Sequence, residues 1–315
     1  MVKSSSTPST STSPADEEIT GGKAARYFVA GTGFAAPPLA AGLHVVATPI
    51  GNLRDITIRA LETLAAADLV LCEDTRTSAR LLDHYGIKAR RQALHEHNER
   101  ARIGEILERI GKGEAIALIS DAGTPLLSDP GFPLLRAIAE ENLPVFAVPG
   151  PSALLSGLVV AGLPTDAFCF HGFLPTKAGA RAKALANLAD SRETLVFYES
   201  PRRLSATLLA MADAFGPDRP AAVALELTKR FERVHRGLLS ELAATFAEGD
   251  TKGEAVILVA GAPEPAAANE ADWKAVLAEA LAGQPLRSAV DEIAARFGLK
   301  RKDVYNAALA LKAKE

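Results

Sequence analysis

"AIALISDAGTPLLSDPGFPLLRAIAE", residues 115–140, decides how this chain is read. The opening run is short and apolar and reads as a buried strand, and a helical pattern follows over about 132–142. Between them lie two Ser-Asp pairs, Gly123, Gly131 and two prolines, with a third, Pro133, opening the helical pattern. Strand, turn-rich loop, helix is the repeating unit of a parallel α/β sheet. The loop itself admits three readings. Asp121 and Asp129 suit a general acid and base, a metal site, or hydrogen-bond acceptors that shape a loop or hold a ligand.

Working outward, the same alternation recurs. "LHVVAT" (43–48), "LVLCE" (69–73) and "VFAV" (145–148) read as strands, with helices near 55–66, 75–85 and 99–111 between them. The helix at 99–111 carries Ile103, Ile106, Leu107 and Ile110 on one face. In an open parallel sheet, ligands bind beyond the carboxyl ends of the strands. "TPIGN" (48–52), "CEDTR" (72–76), the loop from Ser120 and "PGPSA" (149–153) all fall at that edge. Glycine and proline there let main-chain groups approach a ligand closely. Neither a phosphate-binding GxxxxGK[ST] loop nor a GxGxxG after a strand is present, which disfavours a nucleoside triphosphate or a nicotinamide cofactor. "HEHN" (95–98) offers histidines without a converging ligand set, so no metal is expected.

Downstream, "AFCFHGF" (167–173), "TLVFYES" (194–200), "AAVALELT" (221–228) and "EAVILVAGA" (254–262) read as strands, and 177–190 and 201–215 as helices. "ERVHRGLL" (232–239) alternates as a half-solvated antiparallel strand does. Residues 271–315 form a third unit of helices separated by short turns, punctuated by Gly283, Pro285 and Gly298. From Arg296 onward it has six basic and two acidic residues, which fits either nucleic-acid contact or a plain solvated face. The expected organisation is a disordered extension over 1–40, rich in Ser, Thr and Pro, α/β domains over 41–162 and 163–264, and the helical appendage over 271–315. "GTGF" (31–34) lacks the strand–turn–helix setting of a nucleotide loop.

The 315 residues carry a net charge of −3, so any grip on nucleic acid must be local. Cys72 and Cys169 form no CxxC pair, which fits a reducing, cytoplasmic setting. No stretch reads as a bilayer span and no basic-then-apolar signal opens the chain, so no membrane partner is expected.

Together, "ATPIGNLRDIT", "LCEDTRTSARLL", "LISDAGTPLLSDPG", "PGPSA", "HGFLP", "FYESPRR" and "ELTKRFE" resemble the ribosomal RNA small-subunit methyltransferase I family. The resemblance is strong over 43–262 and extends to the helical appendage. It implies a tetrapyrrole-methylase-like fold: two α/β domains forming a cleft, plus a small C-terminal helical domain. It also implies S-adenosylmethionine-dependent methylation of the 2′-oxygen of a cytidine in the decoding centre of 16S ribosomal RNA, acting on the 30S subunit as a homodimer. By motif position it implies that Pro49, Ile50, Gly51, Ser120, Asp121, Ala122, Thr124, Ser152, Ala153, Tyr198, Leu227 and Ala255 line the cofactor.

For the chemistry, Lys229, Glu232, Glu73 and Arg76 are the candidates to orient the 2′-hydroxyl, take its proton or stabilise its developing charge. Lys177, Arg181, Arg202, Arg203, Lys300, Arg301 and Lys302 are the candidates to pair with RNA phosphates. Two other functions stay open on the residues alone. A tetrapyrrole or diphthine methyltransferase shares the fold and cofactor but has no use for the basic appendage. A non-enzymatic ribosome-binding protein leaves the clustered Gly/Pro loops unexplained.

Overall fold

The computed structural model describes residues 25–247, 253–263 and 270–312. It divides at Ser152/Ala153 into two compact units, each built on its own five-stranded sheet.

The first unit runs β3 (Gly42–Val46), α1 (Ile58–Ala66), β4 (Leu69–Cys72), α2 (Thr75–His84), β5 (Arg91–Ala93), α3 (Glu99–Gly111), β6 (Ala115–Ile119), α4 (Phe132–Glu140) and β7 (Val145–Val148), after a hairpin of β1 (Arg26–Val29) and β2 (Thr32–Ala35). The sheet order is β5-β4-β6-β3-β7, and every pairing is parallel. Central strands β4 and β6 are buried at every residue, as continuous apolar runs in a doubly covered sheet must be. Alternate residues feed two cores. Val46, Leu61, Leu64, Val70 and Leu82 pack on one side, and Leu43, Leu71, Ile106, Ile116 and Leu134 on the other. Each such aliphatic side chain contributes roughly 1.5–3 kcal/mol on burial.

The hairpin corrects the expectation of a disordered 1–40. Ala30 and Gly31 both take positive φ, 50° and 82°, as the tight two-residue turn of a hairpin requires. Tyr27 is buried in the first core, and the Phe28 amide donates to the Tyr85 carbonyl at 2.8 Å. "GTGF" is thus a hairpin turn and second strand. The Ser/Thr/Pro-rich composition that suggested disorder belongs to residues 1–24, which lie outside the described residues.

The second unit runs α5 (Ala153–Ala161), β8 (Phe168–Phe173), α6 (Ala178–Ala186), β9 (Thr194–Glu199), α7 (Leu204–Phe215), β10 (Pro220–Leu225), β11 (Arg233–Leu238), α8 (Leu239–Thr245) and β12 (Ala255–Val259). Its order is β11-β10-β12-β9-β8, and only β8 and β9 pair in parallel. Antiparallel β11, at the edge of the sheet, is half-solvated as expected, but its burial does not alternate: Arg233 and Arg236 are exposed and the residues between and after them are partly buried. Helix α5 corrects the expected boundary at 162. It lies on this second sheet: a Cβ on Gly157 would come within 3.0 Å of Val256 Cγ1. Helical periodicity marks an apolar face but not the sheet that covers it.

The C-terminal helices α9 (Glu270–Gly283), α10 (Leu286–Phe297) and α11 (Arg301–Lys312) close around Trp273, Leu277, Val290, Ile293 and Val304. Gly298 takes the left-handed conformation (φ 61°) that ends α10, as its position predicts. Among the described residues, no helix is long and apolar enough to cross a membrane.

Candidate cofactor cradle

Because all strands of the first sheet are parallel, their carboxyl ends share one edge, and the four loops singled out in the sequence leave from it together with the loop after β5. The four are stitched to one another mainly through backbone. Thr48 and Gly123 exchange two hydrogen bonds, at 2.8 and 3.0 Å, joining the loop after β3 to the loop after β6. The Thr48 hydroxyl donates to the Ser120 carbonyl at 3.2 Å, and the Ser120 hydroxyl to the Ala122 carbonyl at 3.3 Å. The Thr124 hydroxyl reaches the Pro151 carbonyl after β7 at 3.3 Å, and the Asp74 amide after β4 donates to Asp121 Oδ1 at 3.2 Å. Pro49, Ile50, Gly51, Ser120, Asp121, Ala122, Thr124 and Ser152 therefore come together on one rim.

Two glycines are required here. Gly123 sits at φ 82°, with Ile50 Cγ2 3.2 Å from where a Cβ would lie. Gly131 sits at φ 123°, where a Cβ would come within 2.8 Å of Leu126 and 2.9 Å of Leu118. Leu126 and Ser128 hold positive φ, 76° and 70°, between these glycines. Such backbone is uncommon outside glycine, and functional loops are where it gathers.

The rim is acidic. Burial pushes the Asp129 carboxyl up to about 6, and the charges of Glu73 and Asp121 add to the rise against the Ser120 hydrogen bond. Glu73 is raised by burial and then by Asp121, and Asp121 by burial and by Asp74. Asp74 is the exception, held at about 2 by the Arg76 side chain and amide that donate to it. Asp74 caps α2 and pairs with Arg76 at 2.8 Å. Arg76 is thus committed to a helix cap, whereas Glu73 projects from the rim without an ion pair among the described residues. Among the described residues no group of three or more His, Cys, Asp or Glu is arranged to hold a metal ion.

The residues expected from the second unit have separate settings. The Leu154 amide, in the first turn of α5, donates to the Tyr198 hydroxyl at 3.1 Å, so Ala153 and Tyr198 are neighbours. The Ala255 methyl is packed in the core with Phe197 and Leu225, which leaves only its main chain to meet a ligand. Leu227 is buried between Glu226 and Thr228, which both take positive φ, 51° and 65°.

That turn, "ELTKRFE", is pinned by charge. Lys229 Nζ donates to Glu226 Oε1 at 2.9 Å and to Glu254 Oε2 at 3.1 Å. Burial alone would lower the lysine pKa, but the two carboxylates outweigh it and the net shift is upward. The two carboxylates hold Lys229 as a cation, which suits stabilising developing charge better than removing a proton. Glu232 Oε2 accepts the Thr228 amide at 2.6 Å and closes the same turn. Glu226 and Glu254 escaped the sequence reading because they lie 28 residues apart and meet only through the β10–β12 pairing.

The basic candidates also separate. Lys177, Arg202, Lys300, Arg301 and Lys302 are exposed, and Arg301 pairs with Asp291. Arg203 is occupied: its Nη2 donates to the Leu174 and Pro175 carbonyls at 2.8 and 3.3 Å, and its Nε lies 3.3 Å from Glu199. The expectation of a free phosphate-pairing Arg203 is corrected. Arg181, expected at the surface, is only 9 % exposed.

Comparison with known proteins accords with this geometry. Residues 42–243 match the Tetrapyrrole (Corrin/Porphyrin) Methylases, and residues 267–312 match the RsmI C-terminal HTH domain. A Mesorhizobium japonicum protein named Ribosomal RNA small subunit methyltransferase I is 49 % identical over 278 residues, 88 % of this chain and 94 % of its own. The Haemophilus influenzae protein of the same name is 44 % identical over 85 % of this chain and 96 % of its own. Among solved structures, uroporphyrin-III C-methyl transferase from Thermus thermophilus, complexed with S-adenyl homocysteine, shares the fold at a TM-score of 0.50 and 19 % identity, over 69 % of this chain and 96 % of that one. With its stitched parallel-sheet rim, its pinned "ELTKRFE" turn and its helical appendage, the chain belongs to the ribosomal RNA small subunit methyltransferase I family of the tetrapyrrole-methylase fold.

Proposed function

We propose that this protein transfers a methyl group from S-adenosylmethionine to the 2′-oxygen of a cytidine in the decoding centre of 16S ribosomal RNA, within the 30S subunit. The observation that carries the reading is the Thr48–Gly123 bridge, which holds two glycine-containing strand-end loops in one rim. Exposed main chain, small side chains and a few carboxylates suit a ligand with an adenine, a ribose and an amino-acid tail. The rim residues of the first unit fit that cofactor.

When bound, the cofactor supplies a methyl group on a sulfonium, so in-line positioning carries much of the rate. Lys229 provides a fixed positive charge toward an oxygen that becomes anionic. Glu73, raised by burial and by Asp121, is the carboxylate left to accept the hydroxyl proton. Arg76 and Glu232 act at one remove, by shaping α2 and the turn. Lys177, Arg202, Lys300 and Lys302 are exposed cations for RNA phosphates. A homodimer belongs to the same reading. Edge strand β7 leaves Phe146 37 % exposed and β8 leaves Phe173 57 % exposed, apolar surface that a second copy would cover.

The test is ribose-methylation mapping of 16S ribosomal RNA. Purified protein, S-adenosylmethionine and 30S subunits from a strain lacking the modification should yield one new 2′-O-methylcytidine. A methylated tetrapyrrole, or no product, overturns the reading.

A further inference from the structure

Arg181 is a largely buried cation of the second unit. Its side chain is on the buried face of α6, one turn before Leu185, and only 9 % of the residue is exposed. Its Nε is enclosed with no hydrogen-bond partner, and no carboxylate pairs with it among the described residues. A guanidinium cannot shed its proton to escape burial, so an unpaired one is a persistent penalty. Arg203, a short way along the chain, shows the ordinary solution, with Glu199 beside it and two carbonyls as acceptors.

The place where Arg181 sits supplies what such a cation lacks. Side chains of a helix lean toward its N-terminus, so Arg181 is directed at the first turn of α6. That turn is open: Ala178, Gly179 and Ala180 are exposed, and nothing lies within 4 Å of a Cβ built on Gly179. The N-cap, Lys177, makes no side-chain cap, so the leading amides keep their capacity to donate and the positive end of the helix dipole is uncovered. Exposed Lys177 adds a second cation. Arg203 holds the preceding loop by the Leu174 and Pro175 carbonyls, which fixes where the turn begins.

We propose that the first turn of α6, with Arg181 beneath it and Lys177 at its lip, is a preformed site for one phosphodiester of the RNA substrate. Main-chain amides and a planar guanidinium together match the oxygens of a phosphate. The site specifies backbone rather than base and so sets the register of the RNA. This assignment rests on the RNA reading above for its ligand; the anion site itself does not.

Two measurements on the full-length protein test it with Arg181→Met, which keeps the apolar stem. Inorganic phosphate should raise the melting temperature of the wild type, and the rise should vanish in the variant. Binding to unmodified 30S subunits should weaken about tenfold to a hundredfold, with the salt dependence reduced by about one ion. S-adenosylmethionine affinity should not change. Without phosphate, the variant should melt at or above the wild-type temperature, because it loses an unpaired buried charge. A variant that melts well below the wild type and still binds 30S subunits normally makes Arg181 a structural residue and overturns the proposal. Weakened cofactor binding with intact 30S binding assigns the anion to the cofactor carboxylate and also overturns it. A wild type that takes up phosphate through Arg181 yet ignores 30S subunits refutes the RNA reading and leaves an anion site of another substrate.

Discussion

The two sheets have five strands each and solve the same problem differently. In the first, every strand is parallel, so the loops at the carboxyl edge converge by topology, and backbone hydrogen bonds such as the Thr48–Gly123 pair hold them. In the second, only β8 and β9 are parallel, and the turn that carries Lys229 joins the antiparallel pair β10 and β11. No edge rule places that turn. It is held by backbone bonds from Glu226 to Glu254, Lys229 to Glu226 and Glu232 to Lys229, and locked by the side-chain ties of Lys229 to Glu226 and Glu254 and of Glu232 to Thr228. One unit shapes its loops with main chain and glycine, the other adds side-chain charge to a main-chain turn, so they should fail differently under mutation.

Gly123→Val attacks the first device. The positive φ and the 3.2 Å approach of Ile50 leave no room for a branched side chain, so the bridge to Thr48 should open. Cofactor affinity should fall about a hundredfold or more, as a loss of some 3 kcal/mol implies. Calorimetry with S-adenosylmethionine checks this, and near-normal affinity would break the distinction between the units.

Lys229→Ala attacks the second. Single-turnover methyl transfer at saturating cofactor should slow on the order of a hundredfold, with little change in cofactor affinity. Lys229→Arg should recover part of the rate, since the role is fixed charge and the lysine pKa is raised, not lowered. Absent any recovery by arginine, the role would be proton removal after all.

Removal of residues 264–315 tests whether either sheet needs the appendage. The three helices have their own core, so cofactor binding should persist. Methylation of 30S subunits should drop roughly tenfold and its salt dependence should flatten. An unchanged rate would reduce the appendage to a cap.

The smallest expected effect is on stability. The Asp129 pKa is raised by folding to about 6, so the folded state holds its proton over a range where the unfolded state has lost it. The carboxyl is therefore tolerated below pH 4, and stability drains away as pH rises through 6. Asp129→Asn should raise the melting temperature by a few degrees at pH 7.5 and leave it unchanged at pH 4. Thermal melts at the two pH values decide it; a gain at both would point to packing instead.

Much of this was legible in the sequence because it is local. Buried parallel strands are apolar runs, and β4 and β6 show them plainly; Gly298 ends its helix where a left-handed cap is needed. Turn chemistry marked the loop at 120–131, and motif resemblance carried the family. The hairpin at 26–35 was missed because composition was averaged over a segment whose first half is of another character. Helix α5 was assigned to the wrong unit because an apolar face does not name its partner. The roles of charged residues were settled only by the tertiary structure. Arg181 and Arg203 are both basic residues near polar turns, yet one is buried without a partner and the other is bound by Leu174, Pro175 and Glu199. Lys229 became a fixed cation only when β10 and β12 paired and brought Glu226 and Glu254 to it. Residue type determines what charge a side chain can carry. Whether that charge is free depends on distances of a few ångströms between segments far apart in the chain, and those distances exist only in the folded protein.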